Sequence, residues 1–332
     1  MLVSLKQLLD HAAENNYALP AFNVNNMEQI KAILYAAKET DSPIIYQISK
    51  NAIKYAGPGY LESIVYKVIE NNPNIPICLH LDHGSNVNIC VESIKKGYSS
   101  VMIDGSLMSD MKTPSSLSYN IEISKKVTEI AHAKGVSVEG EIGCLGSIEE
   151  NNNLENTVIT SPKEAEIFVN STKVDALAIA IGTSHGAYKF KRPPSKKTLS
   201  IETIKKINKR LPNMHLVIHG ASEIPEKLIY EINSNGGFIP KTYGVPIIEI
   251  QRSIDYGVRK INIDTDLRLA YTACIRKSLK KNRSNFDFRV FGKEAIDSMK
   301  SVAVRKFKFF KSAGQNKKIN AISLSNMAKK YI

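Results

Sequence analysis

Short apolar runs and longer stretches of helical spacing alternate along this chain in a regular order. Period-two or continuous apolar runs predict strands at 19–24, 43–49, 77–82, 100–104, 136–142, 176–182, 216–219 and 259–264. Apolar residues spaced three and four apart predict helices at 27–39, 59–70, 87–96, 116–133, 162–170, 201–209, 224–233 and 267–280. A short amphipathic helix at 2–15 precedes them, and helical segments at 292–311 and 323–331 close the chain. Eight consecutive strand–helix units predict an α/β fold, a (β/α)8 TIM barrel with additional N- and C-terminal helices, as one domain over 1–332. The competing architecture is a doubly wound open sheet, but no Gly-x-Gly-x-x-Gly turn follows any strand. Two segments, 149–161 and 236–251, break the rhythm and read as long loops. Residues 151–156 are polar, as expected of a mobile flap.

Composition narrows the class. At 332 residues, 43 % hydrophobic and 23 % charged, the chain can bury a large core as an ordinary globular protein. No apolar run approaches the roughly 20 residues of a membrane-spanning helix, and residues 1–10 lack a basic-then-apolar leader pattern, so a cytoplasmic protein is expected. Four cysteines (Cys78, Cys90, Cys144, Cys274) lie far apart, in no metal-ligand or redox spacing, which fits reduced thiols. The net charge of +13 raises the question of nucleic acid. The lysine pairs are scattered, most of them on the polar faces of predicted helices, without aromatic interleaving, so no nucleic-acid partner is expected. A positive surface instead suits an anionic small molecule.

The candidate chemistry lies at the carboxyl ends of the predicted strands. In such a barrel the chemistry gathers there. Reading those ends in turn gives Asp82-His83-Gly84, Gly182-Thr183-Ser184-His185-Gly186, His219-Gly220-Ala221-Ser222 and Asn262-Ile263-Asp264-Thr265. Taken singly, a histidine at a strand end is more often a cap or a hydrogen-bonded core residue. Three of the seven, each followed by glycine at equivalent ends, favour metal ligation by His83, His185 and His219. Three imidazoles plus an open position form a catalytic zinc arrangement, with zinc acting as a Lewis acid on a carbonyl oxygen. Along the third strand His80 and Asp82 share one face, so His80 reads as support for a ligand rather than a ligand. His11, His132 and His215 have no such context. Gly186 and Gly220 admit close approach of backbone N–H groups, and Ser222 adds a hydroxyl, a combination that suits phosphate. Lys189 adds charge, and Arg259 and Arg289 are candidates for a second anionic group.

With those residues in place, the sequence resembles the class II, metal-dependent fructose-bisphosphate aldolases over essentially its full length, and most of all their type B, Calvin-cycle subtype. The resemblance rests on Leu-Pro-Ala-Phe-Asn-Val-Asn-Asn at 19–26, His-Leu-Asp-His-Gly at 80–84 and Gly-Thr-Ser-His-Gly-Ala-Tyr-Lys at 182–189. It also rests on His-Gly-Ala-Ser at 219–222, Lys-Thr-Tyr-Gly-Val-Pro at 241–246 and Asn-Ile-Asp-Thr-Asp-Leu-Arg at 262–268.

What the resemblance implies is a glycolytic and gluconeogenic lyase: reversible aldol cleavage of fructose 1,6-bisphosphate to dihydroxyacetone phosphate and glyceraldehyde 3-phosphate. It puts the zinc ligands on His83, His185 and His219, the proton-transferring aspartate on Asp82, and the mobile-loop acid on Glu149. The loop after Glu149 is shorter than in that subtype and rich in Asn, which leaves Glu150 as the alternative for that role. The resemblance further puts a triose-phosphate site on Gly186, Lys189, Gly220, Ser222 and Thr265, and allows a monovalent cation near it. Asn262 would hold the enediolate, Asp264 would contact the substrate, and Asn23 and Ser49 would assist at the second phosphate. Arg289 corresponds to an arginine supplied by a neighbouring subunit, implying a homodimer or homotetramer, and Asp104 and Glu141 to an alternative buried metal position. The chemistry agrees: C3–C4 cleavage leaves carbanion charge, and without a Schiff-base lysine an electrophilic metal must stabilise it. Three rivals differ in testable ways. A tagatose 1,6-bisphosphate aldolase differs in configuration at C4, a zinc hydrolase needs no phosphate loops, and a basic nucleic-acid-binding protein would retard nucleic acid at low salt.

Overall fold

The computed structural model describes residues 1–108, 113–143, 159–183, 190 and 198–331, together with the backbone of 146–147 and 184–185. The predicted strands form as β1 (Leu19–Asn23), β2 (Ile44–Ser49), β3 (Ile77–Gly84), β4 (Ser100–Ile103) and β5 (Ser137–Ile142). After them come β6 (Gly146–Ser147), β7 (Ala176–Ile179), β8 (Ser184–His185), β9 (His215–Ile218) and β10 (Val258–Ile263). Eight of the ten close into a parallel barrel in the order β1-β10-β9-β7-β5-β4-β3-β2, while β6 and β8 pair with each other. The sixth predicted strand is therefore split. Its barrel part stops at Ile179, positive-φ Gly182 turns the chain, and Ser184–His185 pairs outside the barrel.

The helices before the fifth barrel strand are α1 (Leu5–Glu14), α2 (Met27–Thr40), α3 (Lys50–Ala56), α4 (Tyr60–Asn71), α5 (Val87–Lys95) and α6 (Leu117–His132). Those after it are α7 (Pro162–Thr172), α8 (Ile201–Arg210), α9 (Glu226–Ser234), α10 (Ile247–Ile254), α11 (Thr265–Lys281), α12 (Phe288–Phe309) and α13 (Leu324–Tyr331). Two of them depart from the expected pattern. The Ser49 side chain caps α3 at Ala52 N, starting a helix directly from a strand end. The segment 236–251, expected as loop, ends inside α10, where Pro246 sets the first turn and Ile250 and Ile254 lie buried.

Strand alternation divides the core in two. Outward residues such as Phe22, Tyr46, Leu81, Ile103, Leu177 and Ile263 pack against the helices in one continuous cluster. Inward residues at the amino ends of the strands, among them Leu19, Ile45, Cys78, Ala176 and Val217, pack against Leu5, Leu8 and Leu9 of α1, which plugs that end. The apolar plug leaves the carboxyl end to polar groups. α11 and α12 run antiparallel as a hairpin, joined by Lys306 Nζ–Asp266 Oδ2 at 2.7 Å and by Ser298 Oγ donating to Ala270 O at 3.2 Å. Among the described residues no helix is long and apolar enough to cross a membrane, and Cys78, Cys90 and Cys274 form no disulfide.

Candidate active site

Inward positions near the carboxyl ends of the strands carry an unusual load for a barrel interior. One tier holds Gln47, His80, Glu139 and Lys260, all fully buried. The next tier, one alternation further along each strand, holds Asn23, Ser49, Asp82, Asp104, Glu141, His219 and Asn262. Register confirms the tiers: Gln47 lies opposite His80, and Ser49 opposite Asp82.

His83 breaks the alternation. An undisturbed strand would turn it outward, away from Asp82. Between Leu81 and Gly84 the register with β4 shifts, and His83 takes φ +50°, a left-handed backbone that a residue with a Cβ enters reluctantly. The bulge turns the imidazole back over the barrel mouth. Gly84 permits it, because a Cβ there would stand 2.5 Å from the Met102 carbonyl oxygen and 2.7 Å from Cys90 Sγ. His83 Nδ1 then bonds Asp104 Oδ2 at 3.0 Å and stands 3.7 Å from Glu141 Oε2. His219 comes from the end of β9, its ring centroid 4.8 Å from that of His83 and nearly perpendicular at 77°. His219 Nε2 donates to Glu139 Oε1 at 2.8 Å, and Nδ1 stands 3.8 Å from Glu141 Oε2.

Asp82 is held by amides. Asn23 Nδ2 donates to Oδ2 at 2.7 Å and Asn262 Nδ2 to Oδ1 at 3.4 Å. Asn23 is held in turn by Gln47 Nε2 at 2.9 Å. Lys260 Nζ bonds both Asn262 Oδ1 at 2.8 Å and Glu139 Oε2 at 2.9 Å.

Electrostatics at this mouth favour a cation. Burial pushes Asp82 up, but the charges of His83 and Lys260, with the Asn23 hydrogen bond, outweigh it and hold the carboxyl below its usual value. Burial opposes a charged His83, yet Asp82, Asp104 and Glu141 overcome that and push the imidazole up to about 10. Glu141, buried beside Asp104, is raised well above the usual carboxylate range, and among the described residues its Oε2 has no hydrogen-bond partner. Three carboxylates thus converge where one positive charge is demanded. The donor atoms of Asp82, His83 and His219 lie within 4.8 Å of one another, and so do those of His83, Asp104 and Glu141. This mixed imidazole–carboxylate set fits a divalent cation of the zinc type.

Other expected residues fall in various places. Asp264 pairs with Arg268 at 3.0 Å where α11 begins, and Thr265 is buried as its first residue. Ser222 is buried in the β9–α9 loop, its carbonyl accepting from Val245 N at 3.1 Å. The segment 241–246 reaches that loop through Gly244, where a Cβ would stand 2.2 Å from Glu223 O. The backbone of His185 pairs with Ser147, bringing β8 to β6, but its side chain lies outside the described residues. Glu149, Glu150, Gly186 and Lys189 also lie outside them. Arg259 must be corrected. It sits at the amino end of β10, donating to Ile254 O at 2.7 Å and Val258 O at 3.2 Å, on the face opposite Lys260 and Asn262. Period-two alternation, which selects Asn262, rejects Arg259 for the same site. Arg289 is exposed at the start of α12 and pairs with Asp287 at 2.7 Å. Sequence reasoning passed over Glu139 and Lys260, although each lies two residues before a named residue, Glu141 or Asn262, and so on the same face.

A family model described as "Fructose-bisphosphate aldolase class-II" matches residues 3–315. A "Fructose-bisphosphate aldolase" of Xanthobacter flavus is 53 % identical over 342 aligned positions, covering 99 % of this chain and 97 % of that one. One of Pseudomonas aeruginosa is 50 % identical, covering 99 % and 97 %. Among solved structures, the YdjI aldolase from Escherichia coli K12 superposes with a TM-score of 0.72 at 25 % identity, covering 95 % of this chain and 100 % of that one. Fructose-bisphosphate aldolase from Campylobacter jejuni, at 24 % identity and a TM-score of 0.68, covers 95 % and 96 % and shares the fold.

Proposed function

We propose, from the premise that the chain belongs to the class II fructose-bisphosphate aldolase family, a site-by-site account of how it cleaves its substrate. The reaction is the reversible aldol cleavage of fructose 1,6-bisphosphate to dihydroxyacetone phosphate and glyceraldehyde 3-phosphate. The tagatose alternative is not favoured, since relatives at 53 % and 50 % identity carry the fructose name. The observation that carries the account is the meeting of the His83 and His219 rings beside Asp82.

His83, His185 and His219 hold the divalent cation, and its identity is zinc. What supports this is the imidazole-rich donor set and the surplus of buried carboxylate around it. When bound, such a cation supplies Lewis-acid polarisation of the ketone oxygen. Asp82 takes the proton of the C4 hydroxyl as the C3–C4 bond opens. Its lowered pKa keeps it ionised and so able to accept a proton, and the Asn23 and Asn262 amides fix its two oxygens in direction. Asn262 donates toward the oxygen on which charge develops. Glu149 or Glu150 exchanges the proton on the ketone-side carbon. One phosphate is bound by Gly186, Lys189, Gly220, Ser222 and Thr265. The other meets Asn23, Ser49 and Arg289 of a second copy, and Asp264 contacts the substrate. Asp104 and Glu141 form the alternative cation position, supported by their bond and proximity to His83.

The oligomeric part of the account has its own support. Arg289 lies where the α11–α12 hairpin reverses, flanked by Phe286 and Phe288, which are 92 % and 69 % exposed. Apolar side chains so exposed around an arginine suit burial against another copy.

The test is a cleavage assay before and after chelation, with zinc added back. Chelation is expected to abolish triose release and zinc to restore it, and His219→Ala is expected to lose metal and activity together. Full activity of protein free of bound metal overturns the account.

A further inference from the structure

The deepest charged groups of the barrel take no part in the chemistry above. Glu139 and Lys260 are fully buried, and their ion pair spans the lumen: β5 and β10 are separated in the barrel by β7 and β9. A barrel interior is ordinarily filled by branched aliphatic residues, and a buried ion pair is weak evidence for stability. Each member of this pair also holds one residue of the site. Glu139 is a carboxylate, so it can only accept, and the His219 nitrogen facing it must carry the proton. That fixes His219 as the Nε2–H tautomer with its lone pair on Nδ1, the nitrogen nearer Glu141 and the cation position. Lys260 can only donate, so the Asn262 atom facing it must be the amide oxygen. That leaves the Nδ2 amide group directed at Asp82.

We propose that the Glu139–Lys260 pair is a positioning couple, setting the metal-binding nitrogen of His219 through one member and the amide direction of Asn262 through the other. The pair joins the two halves of the site. His219 presents its nitrogen to the cation, and Asn262 presents its N–H groups to Asp82 and substrate, because a single ion pair beneath them satisfies their opposite ends. His80 packs against the same pair, its Nε2 3.7 Å from Glu139 Oε2 and its Nδ1 bonded to Ser100 Oγ at 2.8 Å, and so confines Glu139 from the side. The inference rests on the zinc reading of His219 given above.

Two double variants separate the roles, each removing both charges so that neither is left alone in the core. Glu139→Leu/Lys260→Met deletes the acceptor for His219, and its zinc affinity by chelator competition is expected to fall about 10–100-fold. Glu139→Gln/Lys260→Met keeps a carbonyl acceptor for His219 but frees Asn262. It is expected to bind zinc nearly as the parent does while kcat falls up to about 10²-fold. Thermal midpoints are recorded for both. If the leucine variant does not fold, the glutamine variant alone still decides. Parent-like kcat in it, or parent-like zinc affinity in a folded leucine variant, overturns the proposal and leaves the pair a structural filler. His219→Ala is measured in parallel: unchanged zinc affinity there sinks the metal reading itself, and this inference with it. Loss of zinc in His219→Ala beside unaltered double variants sinks the positioning couple only.

Discussion

Among the described residues no cationic side chain bonds Asp82; its two oxygens are held by the amides of Asn23 and Asn262. A neutral amide donor directs the carboxylate while lowering its proton affinity less than a bonded cation would, which suits a base. Asp82→Ala is therefore expected to keep its metal and lose about 10²–10⁴-fold in kcat, read as triose release against zinc content. Zinc lost along with activity would make Asp82 a ligand instead. At this scale the sequence is informative where alternation holds. His80 and Asp82 share a face from spacing alone, and the same rule would have found Glu139 and Lys260 and excluded Arg259. His83 is different. Alternation turns it outward, and only the register shift beside β4 brings it to His219.

Among the elements, β3 and the α11–α12 hairpin place the most chemistry. The β3 bulge depends on Gly84, which the β4 backbone crowds at Met102. Gly84→Ala is expected to cost about 1–3 kcal/mol in urea unfolding and to weaken zinc binding through His83. Unchanged stability and metal affinity would show that β4 can yield. In the hairpin, fully buried Lys306 pairs with fully buried Asp266, whose oxygens also accept from Glu223 N and Ile224 N. Glu223 is bonded by Lys306 and Arg305 as well, so α12 fastens the loop that carries Ser222. Burial pushes Asp266 up, but the Lys306 charge and these bonds hold it below its unfolded value. The contribution is complete above that unfolded value of about 4 and is lost as pH falls below it through the lower folded value. Lys306→Met is thus expected to cost about 3–5 kcal/mol at neutral pH, and less as the pH drops below that of an ordinary carboxylate. A cost that stays constant down to acid pH would remove Asp266 as its source. Helices were legible from spacing except α3 and α10, whose starts depend on the Ser49 hydroxyl and on Pro246 rather than on a long periodic run.

For the whole molecule, closure of the barrel turns eight strand ends into one rim. Asn23, Asp82, Glu141, His219 and Asn262 are spread from residue 23 to residue 262 yet converge on one mouth. The net charge of +13 gives the molecule as a whole a field that suits an anionic bisphosphate. If Arg289 serves a neighbour's site, light scattering is expected to give at least twice the mass of one chain. A fully active monomer would return Phe286, Phe288 and Arg289 to ordinary surface.

The sequence by itself determined the strand and helix order, the inward face of each strand and the residue types at each strand end, because periodicity and composition are local properties of the chain. Only tertiary structure decided that His83 turns inward and that Glu139 and Lys260 meet across the lumen. Those outcomes depend on register between strands and on closure, which bring together groups that no local spacing relates.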